Sequence, residues 1–247
     1  MKILLPLFAA SLFVTSPLVT ADVLGVTVGA EWWQANPEGR AGDTGFSQPL
    51  HFDDDSHSAF YAAFEHPIPL LPNMMLRRQT LSFQGDTRLA GTLQLHGVVY
   101  AAQSQVNNHL SLEYTDASMY YELLDNDILS VDLGVSARFL QTDVSITQGG
   151  TVARGVSTPL PMVYANAVVG VFGTNSSLFF NGNYGRYDGH QMSDLRAGFA
   201  YEWIDLAAFS LSVKLGVQRL DLDLNDEDRM DVDLLADGVF LGLEADF

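Results

Sequence analysis

The sequence contains no cysteine, so neither a disulfide framework nor a cysteine-ligated metal can stabilise its fold. Basic residues are also scarce, because 12 Lys and Arg stand against 30 Asp and Glu, and the formal net charge is −18. An acidic chain without a basic patch repels a phosphate backbone, which disfavours nucleic-acid binding. After the N-terminal segment, no apolar run reaches the roughly 18 residues that a membrane-spanning helix needs.

The N-terminal segment has the pattern of a secretory signal peptide. Lys2 precedes an apolar run over residues 3–14, and Ala21 is a small residue just before a plausible cleavage point. Two prolines and the short apolar core disfavour the alternative, a membrane-anchoring helix. The sequence therefore predicts a signal peptide over residues 1–21 and one exported domain over residues 22–247.

Apolar and polar residues alternate with a period of two along much of that domain. In residues 24–33, LGVTVGAEWW, the even-numbered positions are apolar, and similar alternation returns in residues 129–139, 195–203 and 209–217. Such alternation indicates β-strands with one apolar face. It is typical of a soluble sandwich or of a transmembrane barrel.

Two observations favour the barrel. The polar face mixes charges of both signs with Gly and Ser, which suits the crowded interior of a small barrel. Aromatic residues lie at strand ends, where interfacial girdles form: Trp32, Trp33, Tyr201 and Trp203. We therefore predict an all-β fold, a transmembrane antiparallel up-and-down barrel.

The connections alternate between short and long. Short ones are predicted at residues 66–73, 125–127, 173–176 and 204–207, and long polar ones at residues 34–57, 85–108, 141–159, 186–193 and 219–231. This pattern gives ten strands, with eight as the alternative, and places the short turns in the periplasm. The second long loop contains LQLHGVVYA, which could form an additional hairpin.

Three details of the alternation stay open at this point. The sequence does not decide which of Arg77 and Arg78 faces inward. Parity also slips between Tyr114 and Ala117, and between Val217 and Leu220. These slips predict bulges or strands that continue above the membrane.

Several stretches resemble small proteobacterial outer-membrane β-barrel proteins that have no assigned activity. They are DVLGVTVGAEWW, FEHPIPLLPN, YTDASMYYELLDN, VDLGVSARF and the terminal FLGLEADF. The resemblance covers most of the domain and implies the same barrel fold in a Gram-negative outer membrane. It also implies recognition by the barrel-assembly machinery through one face of the last strand: Val239, Leu241, Leu243, Ala245 and Phe247.

Charged residues on the polar face are predicted to line the lumen: Glu31, Glu65, Glu122, Asp132, Arg138, Arg196, Glu202 and Lys214. We expect them to form ion pairs that plug a narrow interior, since unpaired charges there would be costly. A pore is the alternative, although ten strands enclose far less space than those of a porin.

The first long loop provides one candidate for catalysis at the rim. His57 follows Asp53, Asp54 and Asp55, with His51 nearby, so a histidine and carboxylate pair could form. The sequence has no G-x-S-x-G motif, and a solvated acidic loop accounts for the pattern. We predict that the protein is not an enzyme and uses no cofactor.

The last long loop resembles part of a calcium loop. Asp221, Asp223 and Asn225 have the spacing of its first oxygen ligands, but Asp226 stands where glycine is required. We predict no dedicated metal site. Instead we expect Mg²⁺ or Ca²⁺ to be held loosely by the acidic loops, which comprise Asp53, Asp54, Asp55, Asp221, Asp223, Asp226, Glu227, Asp228, Asp231 and Asp233.

The sequence thus favours an outer-membrane barrel with a structural or surface-interaction role. A narrow channel for small solutes is the alternative, and a hydrolase at the rim is the third hypothesis. The expected partners are outer-membrane lipids and lipopolysaccharide, the assembly machinery, and loosely held divalent cations.

Overall fold

The computed structural model describes residues 24–68, 70–126, 128–206, 208–226 and 230–247, and the predicted signal peptide lies outside them. The thirteen strands of these ranges are β1 (Gly25–Gly42), β2 (Gln48–His51), β3 (Asp55–Glu65), β4 (Asn73–Arg88), β5 (Leu93–Leu95), β6 (Val98–Tyr100), β7 (Gln105–Asp125), β8 (Leu129–Thr147), β9 (Thr151–Gly170), β10 (Ser176–Tyr187), β11 (His190–Leu206), β12 (Phe209–Asp226) and β13 (Met230–Asp246). No helix in the described part of the chain is long and apolar enough to cross a bilayer.

The sheet closes on itself. Strands β1, β3, β4 and β7 to β13 pair antiparallel in chain order, and β13 pairs back with β1 from Thr27↔Asp246 to Gly42↔Asp231. Closure satisfies the backbone groups that an open edge would leave unpaired. The predicted ten-stranded up-and-down barrel is confirmed, and the eight-stranded alternative is wrong.

The two ends of the barrel differ. One, the turn end, carries the connections 66–72, 126–128, 171–175 and 207–208. The other, the loop end, carries two longer connections, residues 43–54 with β2 and residues 89–104 with the β5–β6 hairpin. The hairpin predicted within residues 85–108 is therefore confirmed.

Three of the predicted long loops are mostly strand. Only residues 148–150 separate β8 from β9, residues 188–189 separate β10 from β11, and residues 227–229 separate β12 from β13. The prediction was wrong because these strands are polar on the outside and extend beyond the membrane.

An apolar belt surrounds the outside of the barrel. Its large exposed side chains include Val135 and Phe139 on β8, Leu215 and Val217 on β12, and Val239, which is 58% exposed, on β13. A soluble surface does not carry a continuous apolar belt, whereas lipid requires one. The architecture is that of a barrel seated in a membrane.

The predicted aromatic girdle needs one correction. Trp32, Tyr201 and Trp203 are exposed on the outer face, but Trp33 points inward and is 1% exposed. Trp33 follows the inward parity of Glu31, so the period of the strand decides its direction.

Above the belt, the outward face of the strands becomes polar and the inward face becomes apolar. On β12 the outward residues change from apolar at Val217 to charged at Arg219, and the inward residues change from Gln218 to the buried Leu220. The inward and outward alternation continues without a break here, so the bulge predicted between Val217 and Leu220 is wrong. The strands instead leave the membrane and enclose an apolar core in water.

Both long connections fold into the mouth of that core. Leu50 and Phe52 are buried in it, and the carbonyl of His51 accepts a 2.8 Å hydrogen bond from Asn108 Nδ2. Gly85 permits this close approach, because a Cβ at Gly85 would lie 2.1 Å from the His51 carbonyl oxygen.

The β5–β6 hairpin completes the lid. Its turn residues, His96 and Gly97, both have positive φ, as a tight two-residue hairpin requires. Both turn amides donate 2.9 Å hydrogen bonds to the Asp43 carboxylate, and Leu93 and Leu95 enter the apolar core. The loop end is therefore covered by two segments that contact each other.

Candidate functional site: the lumen of the barrel

The lumen has three levels between the loop end and the turn end. The first is a dry core beneath the lid, whose side chains include Leu81, Phe83, Leu110, Leu112, Leu140, Val144, Ile146, Leu222 and Leu234. The second, the mid-barrel network, comprises Gln79, Tyr114, Asp116, Arg138, Asp194, Arg196 and Gln218. The third is a polar cavity of about 360 Å³ at the turn end, which we call the chamber.

Arg138 is the centre of the mid-barrel network. Its Nε and Nη2 donate 2.6 Å hydrogen bonds to Asp116 Oδ1 and Oδ2, and Nη2 also lies 3.1 Å from Asp194 Oδ2. The guanidinium carbon lies 3.9 Å from the centre of the Tyr114 ring. Bidentate pairing and ring stacking together compensate for the loss of water around this buried cation.

Asp194 connects the rest of the network. It accepts hydrogen bonds from Arg196 Nη2 at 2.8 Å and from Gln218 Nε2 at 2.9 Å. The Tyr114 hydroxyl lies 3.0 Å from Asp194 Oδ2 and 2.7 Å from Gln79 Oε1. A buried network with so many direct bonds holds its side chains rigidly and fills the cross-section of the lumen.

Three cations line the chamber, and each of them is paired. Arg77 Nη2 lies 2.5 Å from Glu31 Oε2, and Lys214 pairs with Glu244. The Tyr61 hydroxyl also donates to Glu244, at 2.5 Å. The third cation, Arg196, is held by Asp194 in the network above.

Another part of the chamber lining is acidic. Glu65 accepts a 2.8 Å hydrogen bond from the Tyr120 hydroxyl, and Asp132 Oδ2 accepts one of 2.9 Å from Asn166 Nδ2. Within the described residues, no Lys or Arg lies within 4 Å of either carboxylate. The charge of these two carboxylates is therefore not balanced locally.

The predicted lumen charges all occupy inward-facing positions: Glu31, Glu65, Glu122, Asp132, Arg138, Arg196, Glu202 and Lys214. The structure joins Arg138 and Arg196 through Asp194. It also places Glu122 directly opposite Asp132 in the register of β7 and β8. Glu202 stands apart, opposite Ser212 near the turn end.

Sequence reasoning missed central members of this site. The inward direction of Asp116 could not be predicted, because a parity slip was expected after Tyr114. In the structure β7 is regular there, and its irregularity lies between Glu122 and Leu124. Arg77, not Arg78, faces inward, as the pairing with Glu31 requires. Strict parity counted from Tyr120 would have identified Asp116, whereas Arg77 lies on another strand, β4.

The last strand closes the barrel. Its predicted assembly face, which runs from Val239 to Phe247, lies on the lipid-facing side of β13 and its end. Phe247 N donates to Val26 O at 2.9 Å, and Val26 N donates to Phe247 O at 3.1 Å. The Phe247 backbone is thus the final rung of the seam with β1.

The two histidines of the first loop differ in their surroundings. His57 is buried inside the barrel, edge-on to Phe83 with ring centroids 4.7 Å apart, and is not in a solvated loop as predicted. His51 and Asp53 form an exposed pair with 3.7 Å between Nε2 and Oδ1. Neither histidine has a described hydrogen bond to a serine.

The acidic residues of the predicted last loop are largely on strands. Asp221 and Asp223 are on β12, and Asp231 and Asp233 are on β13, whereas residues 227–229 lie outside the described part. Among the described residues, no group of three or more His, Asp or Glu side chains is arranged to hold a metal ion.

Comparison with known proteins yields only distant similarities. No protein-family model matches the sequence, and no curated protein matches it. The outer membrane protease OmpT from Escherichia coli is similar in structure, with 10% identity, a TM-score of 0.48, and coverage of 90% of this chain and 97% of that chain. For Ail, the attachment invasion locus protein of Yersinia pestis, the identity is 8%, the TM-score 0.39 and the coverage 91% and 99%. For the toluene transporter TbuX of Ralstonia pickettii, the identity is 12%, the TM-score 0.32 and the coverage 91% and 64%. Likeness at this level says nothing about function, and the fold assignment depends on the strand pairing of this chain.

Proposed function

We propose that this protein is a closed, non-conducting outer-membrane barrel with a structural or surface-interaction role. The observation that supports this proposal is the filling of the lumen at two successive levels. The mid-barrel network blocks the cross-section with direct ion pairs, and the dry core above it contains buried leucines where a solute path would need water. A channel would require both levels to move.

Planar-bilayer recording of the refolded protein tests the closed lumen. We expect no discrete current steps from the wild type. A variant that lacks the hairpin residues 92–101 should also stay closed, because the network seals the lumen without the lid. Discrete steps from the wild type would contradict the proposal and favour the narrow channel for small solutes.

The surface role requires the loop end to face the cell exterior, as in other outer-membrane barrels. The chain has no cysteine, so single cysteines can report on each end. Val99 is exposed on the hairpin at the loop end, and Phe172 is exposed at the turn end. A membrane-impermeant maleimide should label Val99→Cys in intact cells and Phe172→Cys only in permeabilised cells. The reverse result would contradict the proposed orientation.

The remaining parts of the proposal concern processing, activity and partners. We propose export to the outer membrane of a Gram-negative bacterium, with cleavage after Ala21, and contact with outer-membrane lipids, lipopolysaccharide and the barrel-assembly machinery. We assign no catalytic role, because the His51 and Asp53 pair is solvent-exposed.

We also propose that Mg²⁺ or Ca²⁺ associates loosely with the acidic outer surface. Carboxylates such as Asp221 and Asp223 would share a diffuse ion atmosphere with neighbouring lipid phosphates. The melting temperature should then rise gradually with divalent cation, and NaCl should reproduce much of the rise. Saturation by one Ca²⁺ with no effect of NaCl would contradict loose association.

A further inference from the structure

The chamber at the turn end has an unbalanced charge. Neither the closure of the lumen by the mid-barrel network nor the proposed surface role requires this charge. Seven carboxylates and three cations line it, so its formal charge is −4. The cations are Arg77, Arg196 and Lys214, and the carboxylates are those of Glu31, Glu65, Glu122, Asp125, Asp132, Glu244 and Asp246. All three cations already have carboxylate partners. Cationic solutes are therefore attracted to the chamber.

One carboxylate in the chamber has an unused acceptor. Asp132 is 6% exposed, and its Oδ1 has no hydrogen-bond partner among the described residues. Asn181 also lines the chamber, and its Oδ1 is similarly unpartnered among the described residues. Buried acceptors of this kind are costly unless a donor satisfies them, and a bound group with several N–H donors would do so.

Strand register brings these acceptors into one row. Asp132 lies directly opposite Asn166, Asn166 opposite Asn181, and Asn181 opposite Arg196, on four consecutive strands. Beside the row, the Tyr120 and Tyr164 rings are 5.5 Å apart, and the Tyr120 hydroxyl contacts Glu65. Two carboxylates thus flank a pair of aromatic rings, an arrangement that suits ammonium groups and the alkyl chain between them.

We propose that the chamber binds a small aliphatic di- or triamine, with its ammonium groups at Glu65 and Asp132 and its alkyl chain against Tyr120 and Tyr164. A metal ion fits less well, because no three acidic or histidine side chains among the described residues are grouped for one. The chamber volume of about 360 Å³ lies within the range of small-ligand pockets, roughly 300–1,000 Å³, which is enough for such a chain.

Calorimetric titration of the refolded protein in a nonionic detergent tests this inference with spermidine as the probe. The wild type should bind one spermidine saturably, and Asp132→Asn and Glu65→Gln should each weaken binding about tenfold, because each removes a charged acceptor. Asp53→Asn is the matched control, since it removes one exposed carboxylate at the loop end, and it should bind as the wild type does.

Any of several results would overturn the inference. They are the absence of saturable binding to the wild type, equal weakening by Asp53→Asn and Asp132→Asn, and tighter binding of the zwitterion glycine than of spermidine. Equal competition by Mg²⁺ at matched ionic strength would likewise identify charge screening and not a site. A measurement on the wild type alone covers the case in which a variant fails to refold. Spermidine should shift the side-chain amide NMR signals of Asn166 and Asn181 but not that of Asn36. Unmoved Asn166 and Asn181 signals would refute the proposal.

Discussion

Arg138 and Asp116 face each other directly across β7 and β8, and two parallel 2.6 Å hydrogen bonds join the guanidinium to the carboxylate. Arg138→Met would leave Asp116 buried without a cation. We expect this change to lower the free energy of unfolding by about 3–5 kcal/mol, the usual cost of breaking a buried pair. Urea unfolding in lipid vesicles measures the loss.

Arg78→Met is the control for that measurement. Arg78 also pairs with a carboxylate, Glu113 at 2.8 Å, but its side chain is 63% exposed. An exposed pair contributes about 0–1 kcal/mol, so the loss should be small. Similar losses in both variants would contradict the central role of the mid-barrel network.

Val213 and Ser212 are adjacent on β12 and face opposite sides of the barrel wall. Val213 lies between Tyr201 and Leu243 on the lipid side, whereas Ser212 lines the chamber. Val213→Arg should destabilise the barrel by about 2–4 kcal/mol if the position is at the bilayer midplane. Ser212→Asn should be mild. Comparable refolding defects in the two variants would mean that the sides are assigned wrongly.

Deleting Phe247 should impair assembly in cells more than stability in vitro. The deletion removes both hydrogen bonds between Phe247 and Val26, the last rung of the seam, and leaves backbone groups facing lipid. Immunoblots of outer-membrane fractions should show a marked loss of the deletion variant. Phe172→Ala changes an exposed aromatic residue at the turn end and should keep normal levels. Normal levels of the deletion variant would disprove the prediction.

Asp233 provides a test that depends on pH. It lies on β13 before the membrane-spanning part, which begins at Val239, and it faces Asp223 on β12. Burial and the carboxylates of Asp223 and Asp221 raise the pKa of Asp233, although Arg40 opposes the shift. The folded protein therefore holds this proton more tightly than the unfolded chain does. The associated stability is fully present below the unfolded pKa and is lost as pH rises through the folded pKa.

Asp233→Asn should remove that loss, so the variant should gain stability relative to the wild type as the pH rises above about 4, the ordinary pKa of an aspartate. Thermal denaturation across this range measures the difference. Asp237→Asn, on the same strand but opposite Arg219, should show no such gain. A constant difference between wild type and Asp233→Asn at every pH would exclude the titration of Asp233 as its cause.

The period of two was enough to predict much of this barrel from sequence. It predicts the strands of the closed sheet, the lipid side of β12 and β13, and the inward direction of residues such as Glu31 and Arg138. It failed where the chemistry of a face changes along a strand. Leu220 and Leu222 point inward like Lys214, but the alternation of residue types reverses above Val217, and a pattern based on polarity interprets the reversal as a slip.

The partners inside the lumen were harder to predict for a different reason. Which charge meets which depends on side chains from strands that are distant in sequence, such as Arg77 with Glu31 and Arg138 with Asp194. Register between neighbouring strands does not specify contacts across the interior. The lid illustrates the same limit, because the approach of His51 to Gly85 depends on how a long connection folds back.

The sharp upper edge of the apolar belt has a consequence for the surrounding membrane. Outward residues change from Phe139 to Gln141 on β8, from Val217 to Arg219 on β12, and from Val239 to Asp237 on β13, each within one outward position. A single helix adapts to a thicker or thinner bilayer by tilting, but a closed barrel with a filled interior has no comparable freedom. Lipids beside this protein must therefore stretch or compress to match its hydrophobic height, so the barrel sets the local thickness of the membrane around it.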